Sequence, residues 1–139
     1  MNNHFELDPR LSDDCHVIGQ MDISQLLLLN NALVPWFVLV PRTSVTDLTD
    51  LSRSQQTIVL EEINLIAAFI KQSFPVSKLN IASIGNVVSQ LHIHVVGRAP
   101  TDFCWPNVVW GVSEHRPYDA AQVQSIISDV RDYLGDRIH

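Results

Sequence analysis

One stretch, Gln90-Leu91-His92-Ile93-His94-Val95-Val96-Gly97-Arg98, limits what this chain can fold into. Successive side chains of a β-strand point to opposite faces of its sheet. Gln90, His92, His94, Val96 and Arg98 therefore share one face, and Leu91, Ile93 and Val95 share the other. The second face suits a core. The first gathers two imidazoles, an amide and a guanidinium. Imidazole changes charge near neutral pH and is a competent nucleophile when neutral. The planar donor fork of Arg suits phosphate. The pattern predicts a sheet with phosphate-directed chemistry on one face.

The 139 residues are enough for one domain, 1–139, with a substantial core. A hydrophobic fraction of 46% fits a globular protein. The net charge of −6 argues against a surface that coats nucleic acid. It leaves room for a local cationic pocket. Cys15 and Cys104 lie far apart with no CxxC pair, which reads as two reduced thiols of a cytoplasmic protein. The start, Met1-Asn2-Asn3-His4-Phe5-Glu6-Leu7-Asp8, shows no basic region leading into an apolar one, so no secretory leader is expected. The apolar runs are too short to span a bilayer, so no membrane partner is expected either.

Residues 1–22 are polar and mixed, with a short strand near His16 to Ile18. Leu26 to Leu29, closed by Asn30-Asn31, reads as a strand entering a turn. Pro35 to Arg42 follows as a second strand, and the two form a hairpin. Val59, Ile63, Ile66 and Ile70 keep a helical period, predicting a helix over 53–73 capped by Ser52 and stopped by Pro75. Residues 79–84 read as a strand turned by Gly85-Asn86, with the histidine strand over 89–98. A loop over 100–117 and a final helix carrying Val123, Ile126, Ile127, Val130 and Leu134 complete the chain. Strands, helix, strands, helix predict an α+β fold with an antiparallel sheet.

With these residues in place, the chain resembles the histidine triad (HIT) superfamily. That family's motif is His-x-His-x-His followed by two apolar residues. Here Gln90 stands at the first position, and the tail Val95-Val96-Gly97-Arg98 sets the register. The alternative register, with His92 first and Val96 third, does not fit that tail. The resemblance spans roughly residues 20–115 and implies the HIT-like fold, an antiparallel sheet with one long helix and a C-terminal helix. It implies that His92 is the nucleophile and His94 a donor to phosphate. Asn86 lies where many relatives carry a hydrogen-bonding Gln, and Asn80 resembles a strand Asn that approaches the phosphate. Asn30 or Asn31 lies in the region that contacts ribose. Trp105-Pro106 is similar to a Trp-Pro that reaches a dimer partner in one branch.

The resemblance implies hydrolysis at the α-phosphate of a nucleoside phosphoramidate, aminoacyl-adenylate or dinucleoside polyphosphate. A covalent nucleotidyl-histidine forms on His92 and is resolved by water, which splits one displacement into two. His94, Asn86 and Gln90 supply hydrogen bonds, and the scheme needs no metal or other cofactor. Gln90 cannot titrate or attack. The implied partners are a purine nucleotide or its conjugate and a second copy of the chain. Two other readings stand beside this one: a nucleotide-binding protein without turnover, and a His-x-His metalloprotein drawing further ligands from His115 or an acidic residue. Arg98 either contacts phosphate or ends the strand in solvent. Asn30 and Asn31 are turn residues first. Trp36, Trp105 and Trp110 read as core or interface aromatics.

Overall fold

Five strands form one antiparallel sheet: β1 (Cys15–Gln20), β2 (Ser24–Leu29), β3 (Trp36–Pro41), β4 (Lys78–Ala82) and β5 (Ile93–Arg98), in the order β1-β2-β3-β5-β4. This computed structural model describes residues 5–139, so the part of the leader reading that rests on Met1 to His4 lies outside them. Helices α1 (Pro9–Asp14), α2 (Arg53–Ser73) and α3 (Ala120–Leu134) complete the α+β fold.

Both faces of the sheet are covered. Leu26, Leu28, Phe37, Leu39, Ile93 and Val95 pack with Val59, Ile63, Ile66 and Ile70 of α2 and with Val130 and Leu134 of α3. Leu27, Trp36, Val38, Val40 and Val96 form a second cluster with Leu11 and Val109 on the opposite face. That double coverage explains why β3 is apolar throughout and buried at every position. Each buried Leu or Ile side chain contributes about 1.5–3 kcal/mol through removal from water.

The helix boundaries follow their capping chemistry. Ser52 Oγ accepts the Gln55 N–H while the Gln55 side chain accepts the Ser52 N–H, closing a capping box at the start of α2. Asp119 and Gln122 close the same box on α3. Where α2 ends, Gly97 is required by close approach. A Cβ there would stand 2.7 Å from Ile70 Cγ2 and 2.8 Å from Pro35 Cγ.

Three expectations need correction. The helix α1 lies in a segment whose sequence reads as mixed: Asp8 caps it and Pro9 fits its first turn, which needs no donor. The strand expected over 79–84 is β4, which stops at Ala82. The histidine strand, expected over 89–98, begins only at Ile93. Ala82 already pairs with His94, and β3 pairs no further upstream than Leu39 with Ile93. Residues 89–92 therefore lack ladder partners and take irregular backbone, which puts His92 just outside the strand.

Candidate active site

The alternation read from the sequence holds through this irregular start. Leu91, Ile93 and Val95 enter the helix-side core. His92 and His94 are buried on the other face, with ring centroids 4.9 Å apart. Their hydrogen bonds give them opposite characters. His92 Nδ1 lies 2.7 Å from the Gln90 carbonyl oxygen. A carbonyl only accepts, so Nδ1 carries the proton, and in the neutral ring Nε2 is the nitrogen with the lone pair. His94 Nδ1 instead accepts the Trp36 indole N–H at 3.0 Å, which leaves its proton on Nε2. Burial, with His92 adding to it, pushes the His94 imidazolium down to about 4. One ring therefore presents a lone pair and its neighbour presents an N–H.

Two indoles frame the pair. Trp36 and Trp110 meet His94 edge-on, with centroids 5.7 and 5.5 Å away. They also wall a cavity of about 500 Å³ bounded by Leu29, Asn30, Asn31 and His115. Asp13, Asp14 and Glu114 line it too. A slightly larger cavity, about 580 Å³, lies around Arg42, Glu62 and Asp136. Neither cavity is lined by His92 or His94, but the first shares the walls Trp36 and Trp110 with His94, and that adjacency, not size, selects it.

The remaining expected site residues have varied surroundings. Asn86 is exposed in the loop after Gly85, whose φ of +69° makes the turn. Asn30 Oδ1 accepts the Tyr118 N–H, and Asn31 Oδ1 accepts those of Leu33 and Arg116. These bonds tie the loop before α3 to the cavity rim. Gln90, expected as a supporting hydrogen-bonder, bonds the N-terminal segment with its side chain. Its Nε2 donates to the Glu6 carbonyl and its Oε1 accepts the Asp8 N–H, both at 2.8 Å. The amide thereby straps the N-terminal segment beside the residue that holds His92.

Arg98 and Asn80 depart from the nucleotide contact expected of them, and Arg98 does not end the strand in solvent. The Arg98 side chain is 1% exposed. Its Nε and Nη2 donate to Asp102 at 2.8 and 3.1 Å, Nη2 also to the Asn107 carbonyl, and Nη1 to Asn80 Oδ1. Burial alone would raise the Asp102 carboxyl, but bonds from Arg98 and from the Ala99 and Cys104 N–H groups bring it down to about 2. The guanidinium so clamped fixes the start of the loop that carries Trp110.

Sequence reasoning misses three residues here. Trp36 and Trp110 read from the sequence as packing aromatics, and Asp102 carries no assignment there. Trp36 is within reach of a register argument: it pairs with Val96, two residues from His94, on the same face. Asp102, four residues after Arg98 in a loop, gives no periodic signal. The two thiols are free, and burial pushes Cys15 up to about 12, which leaves it unreactive. Among the described residues, no three His, Cys, Asp or Glu side chains gather where they could hold a metal ion. No helix among them is long and apolar enough to cross a membrane.

Sheet order, paired histidines and flanking cavity define a histidine-centred site on one face of an antiparallel sheet, and the chain belongs to the HIT domain family, whose model matches residues 10–101. Members of that family are nucleotide-binding proteins, in general hydrolases or transferases. Among solved structures the chain is similar to a histidine triad protein from Bradyrhizobium japonicum, at 37% identity, covering 97% of this chain and 98% of that one, TM-score 0.89. A histidine triad protein from Marinobacter aquaeolei VT8 is 34% identical over 96% and 98% of the two chains, TM-score 0.91. One from Sinorhizobium meliloti 1021 is 33% identical over 94% and 98%, TM-score 0.90. No curated protein matches the chain.

Proposed function

We propose that the protein hydrolyses a nucleotide conjugate at its α-phosphorus through a covalent nucleotidyl-histidine on His92. One observation carries this reading: the paired rings hold opposite protonation patterns, with a free lone pair at His92 Nε2 beside an N–H at His94 Nε2. The His92 lone pair forms the N–P bond as the bond from phosphorus to the leaving atom breaks. That atom departs with the electron pair and takes a proton from solvent. The Gln90 carbonyl, already bonded to Nδ1–H, stabilises the positive charge that grows on the ring. His94 donates to a phosphoryl oxygen, and Asn86, exposed on the loop between β4 and β5, adds a further amide donor. Water then attacks phosphorus, the N–P bond breaks, and the nucleoside monophosphate leaves with His92 restored.

The nucleoside lies in the cavity of about 500 Å³ walled by Trp36 and Trp110, with the Asn30 side chain at its rim. Those indoles suit a purine. The substrate is a nucleoside phosphoramidate, an aminoacyl-adenylate or a dinucleoside polyphosphate, and the protein works in the cytoplasm as one domain, 1–139. A homodimer forms through the edge strand β4, where Ile81 and the following Ile84 and Val87 are exposed.

The test is a panel of adenosine phosphoramidate, an aminoacyl-adenylate mimic and diadenosine tetraphosphate, run with chelator for wild type and His92→Ala. Turnover that collapses in His92→Ala, with the nucleotidyl adduct trapped on wild type by acid-sparing mass spectrometry, is the expected result. Nucleotide binding without turnover of any member would replace the hydrolase with a binding protein.

A further inference from the structure

His94 can serve as a donor only while its proton stays on Nε2, and nothing on its own strand keeps it there. The neighbour across the ladder on one side is Val38 and on the other Ala82. Neither side chain forms a hydrogen bond. The titratable group facing His94 is His92, and the rings otherwise packed against it are the uncharged indoles of Trp36 and Trp110. Of these groups, Trp36 alone bonds a ring nitrogen of His94, with Nε1 to Nδ1 at 3.0 Å.

We propose that Trp36 is a positioning residue for the reaction: its indole N–H fixes the proton of His94 on Nε2 and holds the ring as a neutral hydrogen-bond donor. The proposal rests on the hydrolase reading above and goes beyond it, because the donor is an uncharged imidazole and a residue from another strand makes it so.

The physical argument has two parts. Indole is a donor without an acceptor, so its bond is compatible with a lone pair on His94 Nδ1 and incompatible with a proton there. Either the other tautomer or an imidazolium would set two N–H groups against each other inside a buried site. The bond therefore favours the neutral form, acting in the same direction as burial and the nearby His92. Position follows from register. Trp36 stands opposite Val96, so its side chain lies diagonal to His94 on the shared face, within reach of an aromatic ring. Trp36 is itself 7% exposed and packed in the second core cluster, so the donor is held in place before substrate arrives. Trp110 touches both rings edge-on but makes no hydrogen bond to His94, and so provides a control for packing without the bond.

The experiment reads the His94 ring directly by ¹⁵N NMR of imidazole-labelled protein between pH 8 and 5, alongside kinetics of Trp36→Phe and Trp110→Phe. Wild type is expected to show a protonated Nε2 and a bare Nδ1 across that range. In Trp36→Phe the titration of His94 moves up toward the ordinary histidine range and kcat falls by roughly tenfold or more, with a smaller change in KM. Trp110→Phe keeps the wild-type tautomer. A wild-type spectrum with Nδ1 protonated, or with a charged ring at pH 7, overturns the proposal. So does a Trp36→Phe enzyme with an unchanged titration and unchanged kcat. If Trp36→Phe fails to fold, the wild-type spectrum decides alone. A wild type that turns over no substrate refutes the hydrolase reading, and the spectrum still decides whether the Trp36 bond fixes the tautomer.

Discussion

Removing the Asp102 carboxylate by Asp102→Ala tests whether the Arg98 clamp holds the structure around the histidines. Asp102 accepts from Arg98 Nε and Nη2 and from the backbone N–H groups of Ala99, Cys104 and Trp105, at 2.8 to 3.2 Å. The paired side chains are 1% and 8% exposed, so the deletion strands a buried guanidinium. Breaking a buried pair from one side costs about 3–5 kcal/mol. The lower end applies, because Arg98 keeps Asn80 and Asn107 and the Trp105 N–H can reach water. At roughly 2.1 cal/mol/K of unfolding entropy per residue, 139 residues give about 0.3 kcal/mol/K, so 3 kcal/mol lowers Tm by about 10 °C. Thermal unfolding at pH 7 followed by circular dichroism measures it. The double variant Arg98→Met/Asp102→Leu leaves no buried charge and should lose less than Asp102→Ala alone. A Tm shift under about 3 °C for Asp102→Ala, or a double variant at least as unstable as the single, refutes the reasoning.

Two further perturbations follow from the same site. Gln90→Ala removes both bonds to the N-terminal strap, each worth about 1 kcal/mol, so exchange of the Asp8 amide should speed up by roughly tenfold or more; an unchanged rate would show that Leu7 and Phe5 hold the strap by packing. Stability should fall as pH drops from 6.5 toward 4, because unfolded His94 takes up a proton near 6.5 that the folded ring refuses until about 4. Above 6.5 the ring is neutral in both states and contributes no slope. Denaturant titrations of wild type and His94→Gln across that window should show a shallower decline in the variant; equal slopes would show that His94 is not the source.

The legible parts of the site are those encoded by local order. His92 and His94 fall on one face because the period-two alternation of β5 carries on past its first residue, Ile93, through Leu91, which stays in the helix-side core. Helix α2 can be read from Ser52 to Pro75 because capping and helix-breaking act within a few residues. Arg98 shows where such reading stops. Its place at the end of an apolar strand is the same for a phosphate ligand, a solvated charge or a buried clamp. Asp102 decides among these through the folding of a loop without any periodic signal.

The sequence by itself determined the α+β order of elements, the two-faced histidine strand and the family resemblance, since all three rest on periodicity and short motifs. The tertiary structure decided which nitrogen of each histidine carries its proton. For His92 that depends on a carbonyl two residues away, in the stretch 89–92 that lies outside the ladder. For His94 it depends on a tryptophan 58 residues away, brought diagonal to it by the pairing of β3 with β5. Periodicity places a side chain on a face, but a proton's location is set by the hydrogen-bond partner that packing brings to the ring.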